Sequence, residues 1–318
     1  DTKDQIKNIH KNKIKIINKG PGFGKYTFSL RVFFWILKNR DKYDIFIIHG
    51  IWHFSTLIAR ILLKKKYFVF LHGGLDSYFK SEFFKLIKKK IYWKFIEKKN
   101  LLNSKSLLLT NKFELKQFQN TYVNTKNIKK KSVGFGIIKP SFNKNLCRKI
   151  FYKKFPYLKK KKYLLFLGRF HPKKGCFVLL DALKMLKNKS IEINVLMVGP
   201  NSDYKQKLEK YCIENGINNN VFWHDTLTGN LKWGSILCSE GMVLSSHGEN
   251  FGVSAVESLC CARPVLTTHK VGVSPEIISH KAGFVSKDSA NHFAKILMRF
   301  KLLKKNDLLN LSKNSQIC

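Results

Sequence analysis

Short apolar runs alternate with longer lysine-rich segments along almost the whole chain, and this alternation limits the possible folds more than any other feature. The short runs are rich in Ile, Val, Phe and Leu, whereas the longer segments carry apolar residues at helical spacing. Apolar strands separated by amphipathic helices are typical of parallel sheets that are covered by helices. The pattern therefore predicts an α/β protein.

The candidate strands fall into two groups, which predict two Rossmann-like domains. The first group comprises Lys13–Ile17, Asp44–Ile48, Tyr67–Leu71 and Ser106–Thr110. The second group comprises Tyr163–Leu167, Ile193–Val198, Val221–His224, Gly241–Leu244 and Pro264–Thr267. In the first half, helical spacing predicts helices near Thr27–Asn39, Ser55–Lys65, Ser81–Leu102 and Lys112–Asn120.

The apolar periodicity fades between the two groups into a stretch rich in Pro, Asn and Lys, which is typical of a connector. We therefore expect an N-terminal domain at 1–140, a linker at 141–162 and a C-terminal domain at 163–318. The chain does not begin with Met, and the first group of strands lacks the start that a complete nucleotide-binding fold would have. We expect the N-terminal domain to be truncated.

The formal net charge of +40 comes from 60 Lys and Arg residues against 20 Asp and Glu residues, and only seven of the basic residues are Arg. A surface that reads phosphates is usually rich in Arg, so this balance indicates a codon bias toward Lys and Asn rather than a nucleic-acid interface. We therefore expect no nucleic-acid partner. Peripheral contact with an anionic membrane surface is compatible with the charge.

The cysteines and the apolar runs bear on location. Seven cysteines make an odd count with no C-x-x-C pair, which favours reduced thiols in the cytosol. The most apolar stretch, at 45–63, is interrupted by His49, Gly50, His53 and Arg60, so it does not predict a membrane-spanning helix. We expect a cytoplasmic protein, located in part at the inner face of the membrane.

Two carboxylates, Glu249 and Glu257, bracket seven residues between a strand and a predicted helix. Gly252 permits close approach of the backbone to a ligand, and the helix that begins at Val253 offers unpaired amides to an anion. A diphosphate fits this helix end, with Glu257 in reach of ribose hydroxyls and Glu249 in the loop that faces a sugar. The alternative is an acidic pair on a solvated helix, which is less attractive in a chain so poor in acids.

A second candidate segment, "GRFHPKKG" at 168–175, follows the strand Tyr163–Leu167 and precedes a helix. Open α/β sheets bind ligands at the carboxyl ends of their strands. Arg169 can present a planar fork to phosphate oxygens, and Lys174 can add a compact charge. Together they would neutralise a leaving diphosphate without a metal ion, although the abundance of Lys weakens the argument for Lys174.

The segments "LLFLGRFHPKKG", "VLMVGP", "GNLKWG", "SSHGENFGVSAVESLCCARPVL" and "GVSPEII" together span 164 to about 284. In these segments the C-terminal half resembles the group 1 glycosyltransferases, family 4 in the usual classification, which have the GT-B fold. The first half resembles more loosely the acceptor domain of bacterial members that build surface polysaccharides, through "YDIFIIHGIWHFSTL" and "YFVFLHGGLDSYFK".

The resemblance implies transfer of a hexose-type sugar, with retention of configuration, from a nucleotide diphosphate sugar bound between the domains. The acceptor would be a saccharide or a lipid-linked saccharide, and neither a cofactor nor a metal is implied. In its donor site, Arg169 and Lys174 hold the diphosphate and Glu257 holds the ribose. Glu249 holds the transferred sugar, together with the backbone amides of a loop that leads into the helix beginning at Val253. The loop residues are Asn250, Phe251 and Gly252.

His72, which follows the strand Tyr67–Leu71, matches the family histidine that faces the transferring sugar. Catalysis would then depend on His72, Glu249, Arg169 and Lys174. For both His49 and His53, two roles remain open: lining the cleft, or packing within the fold. The first strand and glycine-rich loop of the family have no clear counterpart here, and "GPGFGKYT" at 20–27 reads as a turn that opens a helix. We expect such a fragment to bind donor better than it turns it over.

Two other functions remain open at this stage. A basic nucleic-acid-binding protein would cluster Lys with exposed aromatic residues, for which Tyr92, Trp93 and Phe95 are candidates, although core packing explains them as well. A sugar-nucleotide epimerase or a phosphorylase could share the two-domain architecture. The segment from Glu249 to Glu257 favours the transferase over both.

Overall fold

The computed structural model describes residues 15–74, 83–121, 127–134, 136–137 and 141–318. Its contacts divide the chain into two compact units, each of which contains one sheet. Of the described residues, 15–74, 83–109 and 127–132 belong to the first unit, and 110–121, 133–134, 136–137 and 141–318 belong to the second. None of the described helices is both long and apolar enough to cross a membrane.

The first unit is built on four parallel strands in the order β1-β2-β3-β4. The strands are β1 (Phe46–His49), β2 (Tyr67–Phe70), β3 (Ser106–Leu109) and β4 (Lys130–Ser132). The helices are α1 (Leu30–Asn39), α2 (Phe54–Leu62), α3 (Phe83–Tyr92) and α4 (Lys98–Leu102), with a π-helical turn at Trp93–Glu97 between the last two. His49 lies opposite Phe70 in the register of β1 and β2, so the loops after these strands emerge side by side.

The second unit is built on six parallel strands in the order β10-β9-β8-β5-β6-β7. The strands are β5 (Tyr163–Leu167), β6 (Asn194–Val198), β7 (Val221–His224), β8 (Gly241–Leu244), β9 (Val265–Thr268) and β10 (Gly283–Ser286). The helices are α5 (Lys112–Thr121), α6 (Lys144–Lys154), α7 (Cys176–Lys187), α8 (Asp203–Glu214), α9 (Gly229–Cys238), α10 (Val253–Cys260), α11 (Ser274–Ser279), α12 (Ala290–Lys301) and α13 (Lys305–Ile317).

The central strands of the second sheet are buried on both faces. Leu165 and Phe166 in β5 and Val195 to Val198 in β6 expose none of their surface. Side chains from alternate strand positions enter two apolar clusters, one on each face of the sheet. Double burial explains why these strands read as continuous apolar runs rather than as alternating ones.

The α/β fold class with two parallel sheets is confirmed, and most predicted strands lie within one or two residues of observed ones. The predicted strand Lys13–Ile17 is an exception: residues 13 and 14 lie outside the described residues, and 15–17 are not in a strand. Two edge strands, β4 and β10, have no counterpart among the predicted strands. The helix predicted at Ser81–Leu102 is interrupted by the π-helical turn, while 81 and 82 lie outside the described residues.

The segment 141–162, for which the sequence predicts a linker, carries the helix α6. Cys147 and Phe151 on this helix are fully buried, and they join the same apolar cluster as Leu165 of β5. Gly234 on α9 allows close packing, because a Cβ there would lie 2.5 Å from the carbonyl oxygen of Cys147. Polar residues on its outer face give α6 the composition of a connector, although its inner face belongs to the core of the second unit.

Candidate active site

Two loops at the carboxyl edge of the second sheet are locked together by backbone contacts. The loop after β5 contains Arg169 and a 3-10 turn at Pro172–Lys174, and it ends at Gly175, which caps α7 with φ +62°. A Cβ on Gly175 would lie 2.0 Å from the carbonyl oxygen of Ser245 in the loop after β8, so only glycine fits. The hydroxyl of Ser245 donates to the carbonyl of Gly175 at 2.8 Å.

The loop after β8 leads into α10 through Gly252, which has φ +88°. The backbone N–H of Glu249 donates to the carbonyl of Lys270 at 3.0 Å, and the N–H of Gly272 donates to the carbonyl of Glu249 at 2.9 Å. These bonds fix the Glu249 backbone before the chain turns into the helix. The first amides of α10 have no carbonyl of their own helix to bond, so they can donate hydrogen bonds to an anion.

A crevice of about 460 Å³ opens at this edge of the sheet and brings together most of the predicted donor-site residues of the second unit. Arg169, Lys174, Glu249, Val253, Ser254 and Glu257 all line it. Asn250, Phe251 and Gly252 lie in the loop directly before Val253, which leads into the crevice, but they do not line it. Two cations from one loop thus share a crevice with the start of a helix and with two carboxylates.

Two ion pairs cross the crevice. The ammonium of Lys174 pairs with the carboxylate of Glu249, and both side chains are about one fifth exposed. The ammonium of Lys232 lies 2.5 Å from the carboxylate of Glu257, which is 13% exposed. The three cations Arg169, Lys174 and Lys232 outnumber the two carboxylates, so the crevice is suited to an anionic ligand.

Lys232 is the site residue that sequence reasoning missed. It lies on α9 within the segment "GNLKWG", and its ammonium also lies 4.7 Å from the ring centroid of Trp233. The segment itself carried the signal, but one Lys among so many could not be distinguished from background. Its contact with Glu257 links the helix α9 to the carboxylate predicted to hold the ribose.

His171 supports the turn that carries Lys174. Its Nδ1 accepts a hydrogen bond from the backbone N–H of Lys173 at 3.1 Å, as a capping residue does. Burial, followed by the nearby charges of Arg169, Lys173 and Lys174, lowers the pKa of His171 below its ordinary value of 6.5. The imidazole is therefore held in its neutral form, which is the form that can accept this bond.

His72 lies in the first unit, two residues beyond the end of β2, and its backbone adopts φ +48°. Its Nε2 lies 2.7 Å from Nδ1 of His49, the last residue of β1. The His72 ring stacks on Phe70 with centroids 4.3 Å apart and an interplanar angle of 8°. A non-glycine residue in the left-handed region at an exposed loop is often associated with function.

His53 has a different role from His49. It precedes α2, where its carbonyl accepts a hydrogen bond from the hydroxyl of Thr56 at 2.8 Å. Its ring packs near Gly50, since a Cβ on that glycine would lie 3.4 Å from the His53 ring. Of the two histidines left open between cleft lining and packing, only His49 contacts His72 through its side chain among the described bonds.

No group of three or more His, Cys, Asp or Glu side chains that could hold a metal ion occurs among the described residues. Metal independence and the absence of a cofactor stay predictions. The carboxylates of Glu249 and Glu257 are instead each engaged by a lysine.

The fold is that of the GT-B glycosyltransferases. A sucrose-phosphate synthase from Thermosynechococcus elongatus superimposes with a TM-score of 0.74 at 17% identity, over 90% of this chain and 72% of that one. HepE of Anabaena, determined in complex with UDP and glucose, superimposes with a TM-score of 0.72 at 15% identity, over 98% of this chain and 83% of that one.

The chain belongs to the family of glycosyl transferases group 1, whose model matches residues 148–316 and so includes every donor-site residue discussed above. An uncharacterised glycosyltransferase of Methanocaldococcus jannaschii, MJ1178, is 26% identical over 256 residues. That match covers 78% of this chain and 62% of the archaeal protein. The chain thus spans less than two thirds of the length of this relative.

Proposed function

We propose that the protein transfers a hexose-type sugar from a nucleotide diphosphate sugar to a saccharide or lipid-linked acceptor, with retention of configuration and without a metal ion. The observation that carries the proposal is the crevice in which Arg169 and Lys174 meet the first residues of α10. Cations and unpaired amides aimed at one place are the means by which proteins stabilise a departing diphosphate.

In this proposal each part of the donor has its own partners. Arg169, Lys174 and the amides at the start of α10 bind the diphosphate and stabilise the charge that develops as the sugar leaves. Glu257 accepts hydrogen bonds from the ribose hydroxyls, and Lys232 holds its carboxylate in place. Glu249 and the amides of Asn250, Phe251 and Gly252 bind the transferred sugar, while His72 helps to position it.

The ion pair between Lys174 and Glu249 makes donor binding an exchange of partners. An entering diphosphate draws the Lys174 ammonium toward its own oxygens, which releases the Glu249 carboxylate to accept sugar hydroxyls. The two groups therefore change from a mutual pair to two ligand contacts. A diphosphate without a sugar gives Lys174 a new partner but gives Glu249 none, so the site favours complete donors.

UDP-glucose is the first donor to test, because HepE, which shares the fold, was determined in complex with UDP and glucose. We propose a role in surface polysaccharide synthesis on the cytoplasmic side of the membrane, on the basis of the sequence resemblance. All seven cysteines are free thiols, which suits a reducing compartment. The +40 formal charge suits peripheral contact with an anionic membrane surface.

The test is release of nucleoside diphosphate from a panel of UDP-, GDP- and ADP-sugars, with wild type compared with Arg169→Ala. Loss of one preorganised group that stabilises transition-state charge lowers kcat by about 100-fold. Arg40→Ala is the matched control, because Arg40 is a partly exposed arginine of the first unit that contacts only Asp41 among the described salt bridges. Equal release from Arg169→Ala and wild type would remove the proposed role.

Product analysis separates the proposal from the other reactions of this fold. Transfer with retention gives a new glycosidic bond with the anomeric configuration of the donor, which proton NMR coupling constants report. Isomerised donor without transfer would indicate an epimerase, and phosphate-dependent cleavage would indicate a phosphorylase. Either product would replace the transferase assignment while leaving the diphosphate-binding crevice in place.

A further inference from the structure

The side chain of Asn111 joins the start of α5 to the loop after β8, and both belong to the second unit. Asn111 directly precedes α5, and its Nδ2 donates to the backbone carbonyl of Asn250 at 2.8 Å. Asn250 follows Glu249, whose carboxylate is proposed to bind the transferred sugar. A side chain from outside the loop thus holds the backbone one residue away from a proposed ligand group.

The orientation of the Asn111 carboxamide is set by its contact with the helix. Its Oδ1 accepts from the backbone N–H of Glu114 at 2.7 Å, which satisfies one of the amides at the start of α5. The carboxylate of Glu114 reaches back to Thr110, where it accepts from the backbone N–H at 2.7 Å and from the hydroxyl at 2.8 Å. Because one partner of Asn111 is a donor and the other is an acceptor, only one orientation of the amide satisfies both.

Gly272, in the loop after β9, leaves the space in which this contact forms. A Cβ on Gly272 would lie 1.8 Å from the carbonyl oxygen of Asn250 and 2.7 Å from Nδ2 of Asn111. The N–H of Gly272 donates to the carbonyl of Glu249 at 2.9 Å. Two consecutive carbonyls of the loop are therefore held by different partners, one by a backbone amide and the next by the side chain of Asn111.

The side-chain oxygen of Asn250 gives the loop no such support. This Oδ1 atom is buried and has no hydrogen-bond partner among the described residues. Because a peptide unit is planar, the direction of the Asn250 carbonyl sets the course of the backbone on both of its sides. Loss of the Asn111 amide therefore lets this peptide rotate, and the backbone of Glu249 moves with it.

We infer that Asn111 is a positioning residue for the sugar part of the donor site: through the Asn250 carbonyl it holds the backbone that carries the Glu249 carboxylate. The inference rests on the proposed function, since the role affects ligand binding only if Glu249 contacts the sugar. Arg169 belongs to a different loop, the one after β5, so the diphosphate part of the site keeps its guanidinium when Asn111 is changed.

Substitution of Asn111 by Ser separates the bond to Asn250 from the helix cap. Ser caps helices about as well as Asn, but its shorter side chain has no amide to extend to the Asn250 carbonyl. We expect the Kd for UDP-glucose to rise about fivefold in Asn111→Ser, as suits the loss of one hydrogen bond, while the Kd for UDP changes by less than about twofold. Isothermal titration calorimetry measures both values.

Asn143 provides the matched control, because it caps α6 by accepting from the backbone N–H of Leu146 at 3.0 Å. Asn143→Ser should leave both Kd values unchanged. Equal losses of affinity for UDP and for UDP-glucose in Asn111→Ser would overturn the inference, since a general disturbance of the fold weakens both ligands alike.

A second readout needs no ligand. We expect amide hydrogen exchange in the peptide that spans 249–254 to be about fivefold faster in Asn111→Ser than in wild type, with no change in Asn143→Ser. An unchanged exchange rate in Asn111→Ser would overturn the inference. Failure of wild type to bind UDP-, GDP- or ADP-glucose, together with faster exchange in Asn111→Ser, would instead contradict the proposed function and leave the positioning of the loop intact.

Discussion

The ammonium of Lys174 and the carboxylate of Glu249 form an ion pair across the crevice, although they lie 75 residues apart in the chain. Lys174 comes from the turn before α7 and Glu249 from the loop before α10, and Gly175 and Ser245 hold these two segments in contact. Because both groups are predicted to bind the same ligand, the pair couples the diphosphate part of the site to the sugar part.

Removing the carboxylate from this pair should strengthen binding of a nucleoside diphosphate that carries no sugar. In Glu249→Gln the Lys174 ammonium no longer has to leave a carboxylate, and a nearby negative charge is lost. We expect the Kd for UDP to fall about threefold, as suits a partly exposed pair, while transfer activity falls. Isothermal titration calorimetry measures the change, with Glu214→Gln, which removes an exposed pair with Lys210 on α8, as control. Weaker UDP binding in Glu249→Gln would contradict the exchange of partners.

Gly175 should tolerate no side chain. In Gly175→Ala the new Cβ would lie 2.0 Å from a backbone oxygen, and φ is +62°. We expect a loss of about 3 kcal/mol in the free energy of unfolding, or local rearrangement that abolishes donor binding. Gly168→Ala is a matched control on the same loop, since its Cβ would meet nothing within 4 Å. Thermal and urea unfolding give both values, and equal stabilities of the two variants would refute the packing argument.

His171 should titrate below its ordinary pKa of 6.5, because burial and three neighbouring cations disfavour its charged form. A base whose pKa is lower in the folded state binds fewer protons there than in the unfolded state. The unfolded state therefore gains stability relative to the folded state as the pH falls below 6.5. Above that pH, His171 is neutral in both states and does not affect stability. Ligation of a diphosphate beside the same cations should raise the pKa of His171. NMR titration of the His171 ring protons with and without UDP measures the lowered pKa and its rise on binding. A pKa above 6.5 without ligand would contradict the prediction.

Glu97 is a buried carboxyl in the first unit that should make stability depend on pH. It accepts hydrogen bonds from the backbone N–H of Trp52 at 3.4 Å and from the side-chain amide of Asn100 at 3.1 Å, yet burial outweighs these bonds and raises its pKa above 4.5. The folded state thus holds the proton more tightly, and wild type loses stability as the pH rises from 4.5 through the folded pKa.

Glu97→Gln stays neutral and keeps an oxygen that can accept these bonds. As the pH rises from 4.5 through the folded pKa of Glu97, the Tm of wild type should therefore fall relative to the Tm of Glu97→Gln. Differential scanning calorimetry at several pH values measures the shift, and a Glu214→Gln variant, in which the substituted residue is exposed, should show none of it. A difference that does not change with pH would mean that Glu97 titrates alike in both states.

The fold was largely predictable because its central strands are buried on both faces. β5, β7 and β8 begin and end where the apolar runs do, at Tyr163–Leu167, Val221–His224 and Gly241–Leu244. β4 and β10 lie at sheet edges, where one side is unpaired and polar residues are tolerated. Lys130–Ser132 is short and wholly polar, so no apolar pattern marks it.

The site was predictable only in part, because sequence motifs identify segments rather than contacts. Glycine positions and two carboxylates identified the loops around Arg169 and Gly252. The partner of Glu257 on α9 could not be found this way, since Lys232 is separated from it by 25 residues and resembles every other lysine of the chain. Likewise, His49 contacts His72 only because β1 and β2 are neighbours in the sheet.

The central claim is that one crevice binds a diphosphate between Arg169, Lys174 and the first amides of α10. Calorimetric titration of UDP into wild type, Arg169→Lys, Arg169→Ala and the Arg40→Ala control tests it most directly. A planar guanidinium bound to phosphate oxygens contributes about 1.5–3 kcal/mol. We therefore predict Kd to rise at least tenfold in Arg169→Ala, less in Arg169→Lys, and not at all in Arg40→Ala. An unchanged Kd in Arg169→Ala would contradict the account.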